Sequence, residues 1–204
     1  MKIKPVLTIL GTALILSACA GGPDVRRVPP EDPRNMSMGI DQADVNETVD
    51  TMINSMFSAP SVIRATGGEK PPTVVIVPVW LDPNTITDTR INTDAITTLV
   101  RGRVINSGMF QFIDAFRRDD IASELSYQND SGMVDPATAK KRGKQVGADY
   151  ILEGTISGFD SFTGNVHKKG YVITLTLQNI ETAVIIWQGT QQIAKEMNRP
   201  PVGR

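Results

Sequence analysis

The sequence predicts a single α/β (α+β) domain built on a mixed sheet of four or five strands and flanked by about four helices. Three observations predict this fold. The first two thirds of the chain carry apolar residues at helical spacing around a short β-branched run, and the last third alternates apolar and polar residues. A strand, a helix and a strand also follow one another within about 40 residues, which favours a right-handed parallel crossover. We place this domain at residues 40–196.

The predicted helices combine apolar steps of three and four residues with recognisable start and stop signals. Asp41 can cap the first helix, and Ala59-Pro60 ends it. Gly108 stands where a helix C-terminal glycine is expected, and Pro136 suits the first turn of a helix that stops at Gly147. On these signals we predict helices over residues 42–58, 94–107, 119–127 and 136–146.

The predicted strands are short runs rich in β-branched residues, and Pro78 indicates that the end of the first one leaves its ladder. Glu181-Thr182-Ala183 is short enough for a hairpin turn. Residues 158–170, with three glycines, predict a longer hairpin loop between the third and fourth strands. The strands are predicted at Thr73–Trp80, Phe110–Asp114, Tyr150–Ile156, Tyr171–Ile180 and Val184–Ile193.

The first 18 residues have the pattern of a secretory signal peptide: a basic start, an apolar stretch and the small residues Ser17 and Ala18. The chain's single cysteine, Cys19, follows directly. Leu16-Ser17-Ala18-Cys19 resembles a bacterial lipobox, in which the thiol receives a diacylglycerol and the chain is cut before the cysteine. We therefore expect a covalent lipid on Cys19, and Ala20 favours the outer membrane. The alternatives are an ordinary signal peptide with a chance cysteine and a short membrane helix.

Residues 19–39 are predicted to be a tether, because prolines and glycines interrupt regular structure there. Twenty residues reach at most about 65–70 Å. Residues 197–204 are predicted to form a flexible tail. Cleavage before Cys19 removes Lys2 and Lys4, so the net formal charge changes from −1 to −3. That balance gives no reason to expect nucleic acid as a partner.

The chain offers few residues for catalysis or metal binding. His167 is the only histidine, it falls in the predicted hairpin loop, and no serine near it has an elbow motif. One histidine and no free cysteine do not make an ordinary zinc site. Trp80 and Trp187 are predicted to pack in the core or on the sheet, and an aromatic content of 5% leaves few stacking platforms for a sugar. We predict a binding module without a cofactor; a hydrolase with clustered carboxylates remains the alternative.

Two basic groups are candidate partner contacts, because each can present positive charge to an acidic protein. The first is the predicted hairpin tip and the second is the predicted fourth helix. Their residues are His167, Lys168, Lys169, Lys140, Lys141 and Lys144. The alternative for each group is an ordinary solvated surface.

Three runs carry a resemblance to a known family: KRGKQV at residues 141–146, GADYILEGTISG at 147–158 and VITLTLQNIETAVIIWQG at 172–189. They resemble the LpoB family of outer-membrane lipoproteins, whose domain is similar to the N-terminal domain of TolB. The resemblance implies a periplasmic protein, anchored to the outer membrane, that binds and activates a bifunctional class A penicillin-binding protein and so regulates cell-wall synthesis. It implies no enzyme activity.

The chain departs from the family at two places. Ala183 follows Thr182 where members often have glycine, so we expect a different turn type or mild strain. The tether is also shorter than in well-known members. Related domains in envelope assembly and secretion proteins carry a similar pattern, so an accessory lipoprotein of such a complex is the alternative function.

Overall fold

The computed structural model describes residues 28–29, 32, 36–86 and 91–198. The predicted signal peptide, Cys19, most of the tether and the tail beyond residue 198 lie outside these ranges. Within them, no helix combines the length and apolar character needed to span a membrane. The helices are α1 (Gln42–Ser58), α2 (Pro60–Thr66), α3 (Thr93–Ser107) and α4 (Arg118–Asp130), with a 3-10 turn at Ala115–Arg117. The strands are β1 (Thr73–Ile76), β2 (Trp80–Leu81), β3 (Gln111–Ile113), β4 (Tyr150–Thr163), β5 (Val166–Asn179) and β6 (Ile185–Asn198).

The strands form one mixed sheet in the order β3-β1-β4-β5-β6, with the two-residue β2 alongside β4. β3, β1 and β4 are parallel, whereas β4, β5 and β6 form an antiparallel meander. The predicted α/β class, the mixed sheet and the parallel crossover through α3 are therefore confirmed. Pro78 breaks the first predicted strand into β1 and β2, in line with its missing N–H.

One face of the sheet packs against α1, α2 and α3. Leu152 and Ile156 of β4, Leu177 of β5 and Trp187 of β6 join this core, as do Met52 and Met56 of α1. Asp41 caps α1 in a reciprocal capping box with Asp44. Ser61 of α2 donates a hydrogen bond to the Ile186 carbonyl of β6. The core therefore covers only one side of the three long strands.

Asp149 connects the segments that meet at the start of β4. Its side-chain oxygen accepts hydrogen bonds from the Thr73 backbone N–H at 2.8 Å and the Thr73 hydroxyl at 2.7 Å. Its backbone N–H donates to the Thr73 carbonyl, and its own carbonyl accepts from Ile180. This residue of the Gly-Ala-Asp-Tyr run thus joins β1, β4 and the end of β5.

The predicted fourth helix is wrong. Residues 131–149 contain turns and irregular backbone, and Gly143 has a φ of 73° in the left-handed region. Four neighbouring basic residues repel one another, and the segment has too few apolar residues to stabilise a helix by packing. The described part of the chain still has four helices, because α2 forms where no helix was predicted. Pro60, which was expected only to end α1, lies in the first turn of α2.

The predicted hairpin loop at residues 158–170 is also wrong. β4 and β5 continue pairing out to Thr163 and Val166, so the turn consists of Gly164 and Asn165, with Gly164 at φ 59°. His167, Lys168 and Lys169 consequently belong to β5 and not to a hairpin tip. Two of the three glycines that predicted a loop, Gly158 and Gly170, lie within the strands: an added Cβ at Gly170 would come within 2.0 Å of the Phe159 ring.

At Ala183 we expected a different turn type or mild strain. The structure shows that this residue has the strained conformation. Its φ is 59°, and its N–H donates to the Asn179 carbonyl at 2.9 Å. A left-handed conformation costs an L-residue with a Cβ about 1–2 kcal/mol, and glycine avoids that cost.

Ala183→Gly is therefore expected to raise the free energy of unfolding by about 0.5–1 kcal/mol, after the larger chain entropy of unfolded glycine is deducted. Urea denaturation of both proteins measures it. Ala59→Gly is the control, because Ala59 has a φ of −69° and therefore no left-handed strain for glycine to relieve. An unchanged or lower stability for Ala183→Gly contradicts the strain.

Candidate functional site

The predicted contact residues lie on two separate elements. Lys168, Lys169 and His167 lie on β5, in the part of the antiparallel strands that extends past the core. Lys140, Lys141 and Lys144 lie in the irregular chain after α4. Cys19, the predicted lipid site, is outside the described residues.

The β5 group is largely paired within the protein. His167 stacks on Phe162 with ring centroids 4.1 Å apart, and its Nε2 contacts the carboxylate of Asp160. The His167 side chain is 15% exposed. Lys168 pairs with Glu196 at 3.2 Å, and the Lys169 ammonium lies 5.6 Å from the centre of the Tyr171 ring. Much of this group's capacity for contacts is already used inside the strands.

The other group belongs to what we call the lateral segment, residues 115–149, which contains the 3-10 turn, α4 and the irregular chain. No residue from 111 to 151 is buried. The end of α4 holds the basic run: Gln128 accepts from the Lys140 N–H, Asn129 donates to the Lys140 carbonyl, and Asp130 pairs with Arg142. These contacts fix the backbone of the run and leave its lysine side chains exposed.

The lateral segment also exposes large apolar side chains. Its start is held by Arg101, whose guanidinium lies 4.9 Å from the centre of the Phe116 ring. An open cleft of about 350 Å³ lies between β3, α4 and the chain near Val146, which is 68% exposed. Exposed apolar residues rimmed by polar groups mark interaction sites, so this is the candidate docking surface. Its exposed apolar residues are Phe116, Ile121, Tyr127, Met133 and Val146.

A second functional feature is the point where the tether enters the domain. The Lys195 ammonium of β6 contacts Asp41 at 2.6 Å and Asp44 at 2.5 Å, and donates to the Gly39 carbonyl at 2.9 Å. All three charged side chains are between 12% and 18% exposed. We call this cluster the Lys195 clamp. It holds the N-terminus of α1 and the last tether residues against β6.

The charges of the clamp shift the ionisation of its members. Burial alone would raise the pKa of Asp41, but hydrogen bonds from Lys195 and the Asp44 backbone, with attraction to Lys195, lower it overall. Burial alone would lower the pKa of Lys195, but hydrogen bonds to Asp41 and Asp44 and attraction to both raise it overall. Asp41 and Asp44 thus meet in space, as the hydrolase alternative requires of carboxylates, but both hold Lys195.

Metal ligands are not grouped in the part of the chain that the structure describes: no three His, Cys, Asp or Glu side chains there are placed to hold an ion. Trp187 is buried, as predicted. Trp80, predicted to pack likewise, is 54% exposed because β2 comprises only two residues outside the core. Nothing in the sequence indicates that Trp80 is exposed, because residues 73–80 have the pattern of one buried strand.

Comparison with known proteins identifies the family. A model of the peptidoglycan-synthase activator LpoB matches residues 44–193, and the chain belongs to this family. No curated protein matches the chain.

Solved structures give distant similarities. The LpoB C-terminal domain from Salmonella enterica has 18% identity and a TM-score of 0.44, with 74% of this chain and 98% of that one covered. The Escherichia coli domain has 19% identity, the same two coverages and a TM-score of 0.42. Lipoprotein GNA1162 from Neisseria meningitidis has 15% identity and a TM-score of 0.39, covering 64% of this chain and 87% of its own. All TM-scores are below 0.5, so the family assignment rests on the family model.

The clamp predicts a pH dependence. The pKa of Asp41 falls below 3.8 on folding, so its contribution is present above that pH and is lost as pH drops through the folded value. The pKa of Lys195 rises above 10.5, so its contribution is present below that pH and is lost as pH rises through the folded value.

Asp41→Asn is accordingly expected to lower the free energy of unfolding by about 1–2 kcal/mol at pH 7, because it leaves less negative charge beside Lys195. Urea denaturation from pH 2 to pH 9 measures this, and the difference from wild type should shrink below pH 3.8. Asp50→Asn on the same helix is the control, since its pair with Arg103 is exposed and contributes little. A difference independent of pH contradicts the clamp's electrostatic origin.

The lateral segment is expected to unfold locally before the paired strands do. Because it lacks buried residues, we expect trypsin under native conditions to cut between Lys140 and Lys144 well before Lys168, Lys169 or Lys195, which lie in paired strands. Mass spectrometry of timed digests compares these sites within one sample. Earlier cleavage in β5 or β6 would show that the lateral segment is not the weaker region.

Proposed function

We propose that this protein is anchored by a lipid on Cys19 to the periplasmic face of the outer membrane, where it binds and activates a bifunctional class A penicillin-binding protein and so regulates cell-wall synthesis. The observation that carries the proposal is the family match over residues 44–193. The signal-peptide pattern that ends at Cys19 supports the location. On this proposal the protein has no catalytic role and uses no cofactor besides its lipid.

Activation of this kind is a difference in affinity. A synthase that exchanges between resting and active states shifts towards the active one if the activator binds that state more tightly. A coupling of about 1–3 kcal/mol changes the balance roughly 5- to 150-fold. The activator therefore needs a specific surface, and needs no reactive group.

We place that surface on the lateral segment. Lys140, Lys141 and Lys144 make no ion pair with any residue that the structure describes, whereas Lys168 is paired with Glu196. Exposed apolar residues lie near them, among them Val146 beside the cleft. A partner with an acidic rim around an apolar centre would match this arrangement. Its binding would also order a segment that the core leaves loosely held.

The tether sets the distance at which this contact forms. The Lys195 clamp holds the chain from Gly39 onward, so about twenty residues separate the lipid from the domain. They reach at most about 65–70 Å. On this proposal, the accessory domain of the synthase must come within that distance of the outer membrane.

The test is a glycan polymerisation assay with each class A synthase of the host. The mature chain from residue 19, with Cys19→Ser so that it carries no lipid, is expected to accelerate one synthase at least about fivefold. Lys141→Glu combined with Lys144→Glu should abolish most of that acceleration, since two favourable charges at the interface become repulsive. Lys70→Glu, at an exposed lysine between α2 and β1, is the matched control and should leave it intact.

The outcomes test the activator function and the docking surface on the lateral segment separately. No acceleration of any class A synthase overturns the activator function, and in-cell cross-linking to an envelope export complex would then favour the accessory role. Acceleration that survives both charge reversals overturns the lateral segment as the docking surface and leaves the function standing.

A further inference from the structure

The side of β4, β5 and β6 that faces away from the core carries an unusual set of residues. We call it the open face. Its central part comprises the outward positions within residues 153–157, 172–176 and 188–192, and none of them is buried. These nine positions hold four threonines, two glutamines, one serine, one valine and one glutamate. The face is therefore rich in hydroxyl and amide groups.

One row of this face crosses four strands in register and ends on a tryptophan. Trp80 of β2 lies beside Thr155 of β4, which pairs with Thr174 of β5 and then Thr190 of β6. The hydroxyls of Thr174 and Thr190 are 3.3 Å apart. Partners in register point to the same side of a sheet, so the exposed indole and the three hydroxyls share one surface. Neighbouring strands are about 4.8 Å apart, so the row offers evenly spaced polar groups.

The charge of the open face limits the kinds of ligand that it can bind. Charged residues make up 21% of the chain, yet the nine outward positions contain only Glu153. An acidic partner finds no opposite charge at these positions, and a basic partner finds a single carboxylate. A lipid surface needs lysines or arginines with several apolar side chains, and these positions have one valine and no lysine or arginine. Threonine and serine are under-represented at the centres of protein interfaces. A neutral ligand with many hydrogen-bonding groups matches the face best.

We propose that the open face binds an extended, uncharged glycan built of N-acetylated amino sugars. The Trp80 indole stacks against the apolar side of one sugar ring. The hydroxyls of Thr155, Thr174 and Thr190 both donate and accept, so they pair with sugar hydroxyls. The amides of Gln188 and Gln192 pair with acetamido groups. This site is separate from the lateral segment and goes beyond the proposed activator function.

The experiment is titration of the mature chain carrying Cys19→Ser with chitohexaose, a soluble β-linked N-acetylglucosamine hexamer, followed by NMR of backbone amides. We expect shifts concentrated in β4–β6 on the open face. Trp80→Ala should weaken binding about tenfold, the loss of one aromatic stacking contact. Thr174→Val with Thr190→Val should weaken it also, because valine keeps the shape and removes the hydroxyls. Ile63→Ala is the control, since Ile63 is a large apolar residue, 51% exposed, on α2 and apart from both surfaces.

Each result decides the matter. Binding that Trp80→Ala and the double valine variant weaken, and Ile63→Ala does not, supports the glycan site. No amide shifts at millimolar chitohexaose, or equal binding by all variants, overturns it. If the open-face variants instead lose synthase acceleration while wild type shows no chitohexaose binding, the face is a protein interface and the glycan proposal is wrong. Folding of each variant is checked by its urea midpoint.

Discussion

The hydrogen bonds between Asp149 and Thr73 set the register on which the rest of the sheet depends. β1 is only four residues long and lies between β3 and β4, so its alignment determines where both neighbours sit. The side chain and backbone of Asp149 contact Thr73 together, and its carbonyl accepts from Ile180 at the far end of β5. A parallel strand pair lacks a tight turn to align it. One aspartate thus fixes the parallel half of the sheet against the antiparallel half.

Most of the fold could be predicted because local signals agreed with packing. The apolar spacing in α1 corresponds to the residues that are buried, and Asp41 and Gly108 cap the helices as their types indicate. The failures came where a glycine has a different role from the one that the sequence predicted for it. Gly170 lies under the Phe159 ring within a strand, and Gly143 forms a turn inside the helix that was predicted from Pro136 and Gly147. The fold class followed from residue patterns, whereas the family came from a resemblance.

The candidate site was predictable only in part. The exposed lysines of the lateral segment were visible as a basic run, although their backbone is not helical. The exposure of the apolar residues beside them was not visible, because nothing in the sequence distinguishes Phe116 and Val146 from apolar residues that the core buries. Trp80 was misjudged for the same reason. Sequence patterns report which residues can be buried, and only three-dimensional packing shows which of them the core has no room for.

The clamp at Lys195 has a mechanical consequence. On the proposed function, the lipid on Cys19 holds one end of the protein and the synthase holds the other, so the chain is under tension whenever the two move apart. That tension enters the domain at Gly39, and the contacts with the Lys195 ammonium are the first to bear it. Behind them lie α1 and a fourteen-residue strand paired along its length with β5. A pull on the N-terminal side is thereby spread over the sheet before it reaches the lateral segment, where the proposed partner contact lies.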